Sequence, residues 1–92
     1  MIEGFRHKGL QKFFETGSWA GIQAKHVERL RFILERLDDA ETPEDTQFPG
    51  SGLHPLKGDL KGFWSLKVSG NWRVIFRMEG TNAYDVNLVN YH

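Results

Sequence analysis

Along Phe63–Arg77 the chain reads FWSLKVSGNWRVIFR, with large apolar residues alternating with other types on either side of a turn sequence. Trp64, Leu66 and Val68 share one face of a first strand, and Trp72, Val74, Phe76 and Met78 share one face of a second. A three-residue turn at Ser69-Gly70-Asn71, with Gly70 and Asn71 at positive φ, brings these two faces into register. A two-residue turn would set them on opposite sides of the sheet, so burial selects the longer one. The same register puts Lys67 directly across from Arg73 on the less apolar face. Like charges so placed repel unless an anion lies over them. The hairpin therefore offers a cationic floor to a phosphate.

The rest of the pattern supplies helices first and strands afterwards. Ile2–Phe5 is a short strand candidate, and Lys8–Glu15 carries Leu10, Phe13 and Phe14 at helical spacing with Gly17 as its stop. Between Gln23 and Ala40, the residues Val27, Leu30, Ile33, Leu34 and Leu37 form one broad apolar face at a 3.6-residue period. Lys25, Arg29 and Arg36 fall in a narrow arc beside that face. Such a stripe is either an ordinary solvated surface or a grip for RNA phosphates. His26, near the rim of the face, reads as a partly buried, hydrogen-bonded side chain rather than a ligand.

Asp38–Gly52 contains Pro43 and Pro49, lacks periodicity and predicts a mobile connector. Leu53–Gly58 predicts a short strand with a turn at Gly58-Asp59. A last strand alternates Tyr84, Val86 and Leu88 inward with Asp85, Asn87 and Val89 outward. The expected architecture is one α+β domain over residues 1–92: a compact antiparallel β-sheet with two N-terminal helices on one face. The opposite face, bearing Lys67, Arg73 and Arg77, is expected to be open and basic.

Composition narrows the function. With no cysteine among 92 residues, disulfides and thiolate metal sites are excluded. No apolar run resembles a signal peptide or is long enough to span a bilayer, which points to the cytoplasm and away from membranes. The formal net charge is zero, yet Asp38, Asp39, Glu41, Glu44 and Asp45 are gathered in one segment without Lys or Arg. The seven remaining acidic residues face twelve basic ones, leaving a body of net +5. A polyanion responds to that local field rather than to the total.

Five groups in the sheet half are suited to chemistry: His54, Lys57, Arg73, Tyr91 and His92. No HExxH spacing or acidic cluster beside a histidine pair suggests a metal, no serine or cysteine nucleophile motif is present, and no cofactor is implied. The set suits metal-free RNA cleavage, in which the ribose 2′-hydroxyl is the nucleophile. The protein then supplies a base, an acid and positive charge. Histidine serves either proton role, cations favour a tyrosine phenolate, and arginine holds two phosphate oxygens in a fork. Each residue also has a plainer explanation as a turn, a solvated charge, an edge aromatic or a chain end.

The stretch LHPLKGDLKGFWSLKVSGNWRVIF, a chain ending NYH and the opening FRHKGL together resemble the HigB-like toxins of the RelE/ParE superfamily over essentially the whole chain. The resemblance implies a ribosome-dependent mRNA endonuclease, the toxin of a type II toxin–antitoxin pair, which cuts messages in the ribosomal A site. By that likeness His54, Lys57, Arg73, Tyr91 and His92 are catalytic; Asn90, through hydrogen bonding, and Lys67, on the cationic floor, are expected to position the substrate. Lys8, Lys12, Lys25, Arg29, Arg36 and Arg77 would meet RNA or the ribosome. The implied partners are a helix-turn-helix antitoxin, the small ribosomal subunit with its mRNA, and operator DNA reached only through the antitoxin complex. Relatives often carry Asp where this chain has Asn90, which puts any carboxylate role there in doubt. Two rival expectations are a ParE-like toxin that inhibits gyrase by binding, and a non-catalytic module whose sheet binds a peptide.

Overall fold

The computed structural model describes residues 1–91. The first helix, α1 (Lys8–Thr16), begins where His7 Nδ1 accepts a hydrogen bond from the Leu10 N–H at 2.9 Å. It ends at Gly17, whose φ of +81° lets its N–H return to the Phe13 carbonyl at 2.9 Å. A 3₁₀ turn at Ala24–His26 leads into α2 (Val27–Asp39). Leu30, Ile33, Leu34 and Leu37 of α2 are buried, the stripe that the 3.6-residue period predicts.

The strands are β1 (His54–Pro55), β2 (Phe63–Ser69), β3 (Trp72–Glu79) and β4 (Asn82–Asn90), in one antiparallel sheet of order β1-β2-β3-β4. Beyond β4, Ile2 and Phe5 make single parallel bridges to Ala83 and Val86. The helices bury Leu66, Val68, Val74, Phe76, Val86 and Leu88 against Leu10, Phe13, Ile22 and the α2 stripe. Two helices lying on one face of an antiparallel sheet are the expected α+β arrangement.

Two local expectations change, both through an inserted residue. Lys67 pairs with Arg73 as expected, but Ser69 pairs with Trp72, so the turn has two residues, Gly70-Asn71. Only Gly70 is at positive φ (+53°), and Asn71 is not, the pattern of a type II′ turn. A bulge at Val68 absorbs the extra residue and keeps both apolar faces on the helix side. In β4 the register shifts beside Asp85, which sits at φ +54°. Ala83 rather than Tyr84 therefore enters the core, and Tyr84 lies across from Arg77 on the other face.

The acidic connector is pinned rather than loose. It carries a 3₁₀ turn at Pro43–Thr46, where the Asp45 carboxylate accepts from the N–H groups of Glu41 and Thr42, both at 3.0 Å. Those two bonds hold the Asp45 carboxyl below its ordinary pKa. Further on, Phe48 meets the Phe32 ring edge-to-face at 4.9 Å. The Arg29 guanidinium stacks on Phe48 at 4.9 Å and that of Arg36 at 5.5 Å. These contacts come from α2, far away in sequence, and composition does not announce them.

Candidate active site

The face of the sheet turned away from the helices is built of cross-strand rows. One row runs His54–Ser65–Ile75–Asn87. The next runs Lys67–Arg73–Val89, and Gly52 flanks Lys67 at its β1 end. Tyr91 leaves β4 beside that second row, its N–H donating to the Asn71 carbonyl at 2.8 Å. Adjacent strands are about 4.8 Å apart, so the β1 and β4 margins are about 14 Å apart across the sheet. Tyr91 is also four residues along β4 from Asn87 of the His54 row, which sets His54 and Tyr91 roughly 19 Å apart on the diagonal at the backbone. Lys67 and Arg73 lie between them.

Arg73 is half-buried and its Nη1 is tied down, donating to the carbonyls of Gly70 at 2.6 Å and Trp72 at 2.9 Å. Its Nε and Nη2 make no hydrogen bond among the described residues, which leaves a forked edge for an anion. Lys67 is exposed beside it, and neither cation forms an ion pair among the described residues. The face is not bare at its centre, however. Ser65 is fully buried and Ile75 is 4% exposed, so the middle row is closed over by its neighbours. The Ser65 hydroxyl has no hydrogen-bond partner among the described residues.

Other expected members stand apart from this row. Lys57, exposed, lies three residues beyond His54, about 10 Å along the β1 margin. Asn90 pairs with Trp72 and so belongs to the helix side of the sheet, opposite Lys67 and Arg73. His92 lies outside the described residues. Lys8, Lys12 and Lys25 are exposed in the helical layer, across the sheet from Arg73.

Three arginines expected to meet RNA are engaged within the chain. Arg29 donates to the carbonyls of Gly50 and Lys67 at 2.9–3.2 Å, and Arg36 to those of Gln47 at 3.0 Å and Asp45 at 3.3 Å. Arg77 donates to Asp85 at 2.6 Å and pairs with Glu79 at 3.1 Å, with its guanidinium over the Tyr84 ring at 5.1 Å. The hydrogen bond from Arg77 is the main cause that depresses the Asp85 carboxyl pKa, with Arg6 at 3.3 Å adding to it. This end of the face is therefore locally neutralised, and among the described residues the positive charge without an ion pair on this face is at the Lys67–Arg73 end.

On the helix side, His26 is 1% exposed, with Nε2 2.8 Å from Ser69 Oγ and its ring edge-on to Trp72 at 5.6 Å. Burial, with Lys25 beside it, lowers its pKa. This is the structural histidine expected from its place on the helix. Among the described residues no three His, Cys, Asp or Glu side chains gather as a metal site would require. No helix among them is long and apolar enough to cross a membrane. Sequence reading missed Gly52, which aims its carbonyl at His54. A glycine two residues before His-Pro was the available signal.

Residues 3–92 match the family model for the RelE-like toxin of type II toxin-antitoxin system HigB. The chain belongs to the HigB-like toxin family. It is 40% identical to the Endoribonuclease HigB of Proteus vulgaris over 92 residues, the full length of both chains. It is also 33% identical to Toxin HigB-1 of Vibrio cholerae over 75 residues, 79% of each. Among solved structures, a mutant YafQ from E. coli matches with a TM-score of 0.68 at 16% identity, covering 98% of this chain and 91% of that one. The YoeB of Staphylococcus aureus matches with a TM-score of 0.59 at 16% identity, covering 99% and 94%. These two likenesses establish the RelE-like fold for this HigB-like chain. Membership of a type II toxin family carries with it a cognate antitoxin.

Proposed function

We propose that this HigB-like toxin is a ribosome-dependent mRNA endonuclease that cuts messages in the A site by metal-free attack of the ribose 2′-hydroxyl. The observation that supports it most is the Lys67–Arg73 row, a cationic strip without an ion pair among the described residues, flanked on the diagonal by His54 of the neighbouring row and by Tyr91. In-line displacement at phosphorus needs its base and its acid on opposite sides of the phosphate, and His54 and Tyr91 stand on opposite sides of the Lys67–Arg73 pair, roughly 19 Å apart at the backbone. The name of the P. vulgaris relative, an endoribonuclease, points the same way.

In this reading O2′ loses its proton to a base, the O2′–P bond forms and the P–O5′ bond breaks. The products are a 2′,3′-cyclic phosphate and a 5′-hydroxyl whose proton comes from the acid. Arg73 presents its Nε–Nη2 edge to the phosphoryl oxygens, where charge grows in the transition state. Lys67 adds charge to the same row. Tyr91 stands at the leaving-group margin, and His92 and Lys57 complete the set inferred from the family likeness. The partners are a helix-turn-helix antitoxin and, through it, operator DNA, and the site of action is the cytoplasm.

Mapping 5′ ends on translating ribosomes tests the reading. New ends in frame with codons, lost in Arg73→Ala and in a chain lacking Tyr91-His92 with the fold retained, are expected. Full toxicity of both variants overturns it, and supercoiling defects without mRNA ends favour gyrase inhibition. Naked RNA is expected to be cut poorly, because an unstructured substrate is not held in line over the strip.

A further inference from the structure

The segment before β1 contains a constellation that neither the family likeness nor the sequence pattern assigns. His54 Nδ1 lies 2.9 Å from the Gly52 carbonyl oxygen. A carbonyl can only accept, so Nδ1 carries the hydrogen, and in the neutral ring Nε2 then keeps its lone pair. We propose that residues 50–52, stapled by Arg29, fix His54 in the Nδ1–H form, so that Nε2 enters the reaction as the acceptor of the 2′-hydroxyl proton. The proton-acceptor half rests on the nuclease reading above; the tautomer half does not.

The carbonyl is aimed by several independent constraints. Gly52 sits at φ +59°, a conformation that side chains disfavour, while a Cβ there would meet only Lys67 Cβ at an ordinary 3.5 Å. Backbone conformation, and not lack of space, is what calls for glycine. On one side of Gly52, the Ser51 carbonyl accepts from the Lys67 N–H at 2.8 Å. Across that link the Arg29 guanidinium acts as a staple. Nη2 reaches the Gly50 carbonyl at 2.9 Å, and Nη2 and Nε reach the Lys67 carbonyl at 3.0 and 3.2 Å. Stacking on Phe48 at 4.9 Å holds the guanidinium in place. Ser51, 2% exposed, is buried within this assembly.

Arg29 thus grips both the segment that orients His54 and the strand position that carries Lys67. It touches neither the reacting atoms nor the phosphate, and is a positioning residue. With His54 as proton acceptor, the proton for O5′ has to come from the opposite margin, where Tyr91 lies. The balance is one proton taken from O2′ at Nε2 and one given to O5′ by a phenol or by water.

The test is nitrogen NMR on the full chain labelled with ¹⁵N-histidine, with His54 assigned by its loss in His54→Gln. At a pH where the ring is neutral, a protonated Nδ1 and a bare Nε2 are expected. Arg29→Met, which keeps an apolar stem on Phe48 and removes the donors, is expected to shift His54 toward the Nε2–H form. It is also expected to slow single-turnover cleavage of ribosome-bound mRNA on the order of tenfold without changing half-saturation by ribosomes. Gly52→Ala, with folding checked by circular dichroism, is expected to do the same. An Nε2–H wild type, or variants with unchanged tautomer and rate, overturns the proposal. An Nδ1–H wild type whose His54→Ala variant cuts at full rate overturns the proton-acceptor half alone. A wild type that cuts no ribosome-bound mRNA overturns the nuclease reading instead, and the tautomer result is read separately from it.

Discussion

Phe48→Ala separates a pinned connector from a mobile one. The ring is half-buried, edge-on to Phe32 at 4.9 Å and under the guanidinium groups of Arg29 at 4.9 Å and Arg36 at 5.5 Å. An aromatic pair of this kind contributes about 0.5–1.5 kcal/mol beyond its burial. Each guanidinium stack at a partly exposed site adds about 0.5–1 kcal/mol. Removal of a fully buried phenylalanine costs roughly 3–5 kcal/mol, which bounds the total for a half-buried one. The expected loss is therefore about 2–3 kcal/mol, and in a domain of this size about 4–8 °C of Tm accompanies each kcal/mol. A fall of roughly 10–20 °C is expected by thermal unfolding. Hydrogen exchange is expected to rise across residues 40–52 while β2, β3 and β4 stay protected. Cleavage falls as well, because Arg29 loses the surface that holds it against Gly50 and Lys67. A Tm change under about 2 °C, with these amides exchanging freely already in the wild type, would refute the pinning and restore the mobile connector that an acidic, Pro-containing stretch suggests.

Four further outcomes follow from particular contacts. His26 has a lowered pKa in the fold, so the unfolded chain takes up its proton first. Stability from its burial is complete above its unfolded value of about 6.5 and declines as pH falls below it; pH-dependent denaturation of His26→Gln should lack that decline. Lys67→Met removes one of two facing cations and is expected to raise thermal stability in phosphate-free buffer. Added phosphate should stabilise the wild type more than this variant, and equal responses would remove the row as an anion site. Arg77→Gln is expected to lower Tm and leave the salt dependence of ribosome binding unchanged, since Asp85 and Glu79 already neutralise Arg77. Asp85, depressed mainly by Arg77, contributes stability above its unfolded carboxyl range that is lost as pH falls through its folded value; acid denaturation should show less of that loss in the variant. Asn90→Asp is expected to change single-turnover cleavage less than Arg73→Ala does, because position 90 pairs with Trp72 on the helix side; a larger effect would place it on the reacting face.

The strands and their buried faces were legible because burial imposes a two-residue period on Trp64–Val68 and Trp72–Met78. The Lys67–Arg73 pairing follows from matching those faces across a three-residue turn, and the structure reaches the same pairing by a two-residue turn and a bulge. The α2 stripe was legible for the same reason at a different period. Bulges were not. An inserted residue at Val68 or Asp85 leaves no mark in composition, yet the second one exchanges Ala83 for Tyr84 in the core. The fates of the arginines were equally hidden. On a helical wheel Arg29 and Arg36 look like a free stripe, and only the folded chain brings the carbonyls of Gly50 and Lys67, 21 and 38 positions away, to Arg29. Likewise Arg77 reads as a free outward cation, and only the folded chain shows it paired with Asp85 at 2.6 Å and with Glu79 at 3.1 Å.

On the proposed reading, such pairing-off is how a chain of zero net charge presents a polyanion with a focused site. Arg6 and Arg77 are set against Asp85 and Glu79, Arg31 against Glu28, and Arg29 and Arg36 against backbone carbonyls. At Lys67 and Arg73 the ladder does the reverse and aligns two cations with no counter-charge among the described residues. Side by side on adjacent strands, they destabilise the free fold and reward an anion that bridges them. A binder selected only for stability gains nothing from that alignment. A surface that must hold a phosphate as its charge grows gains from it directly, because the field is in place before the substrate arrives and needs no reorganisation during the reaction.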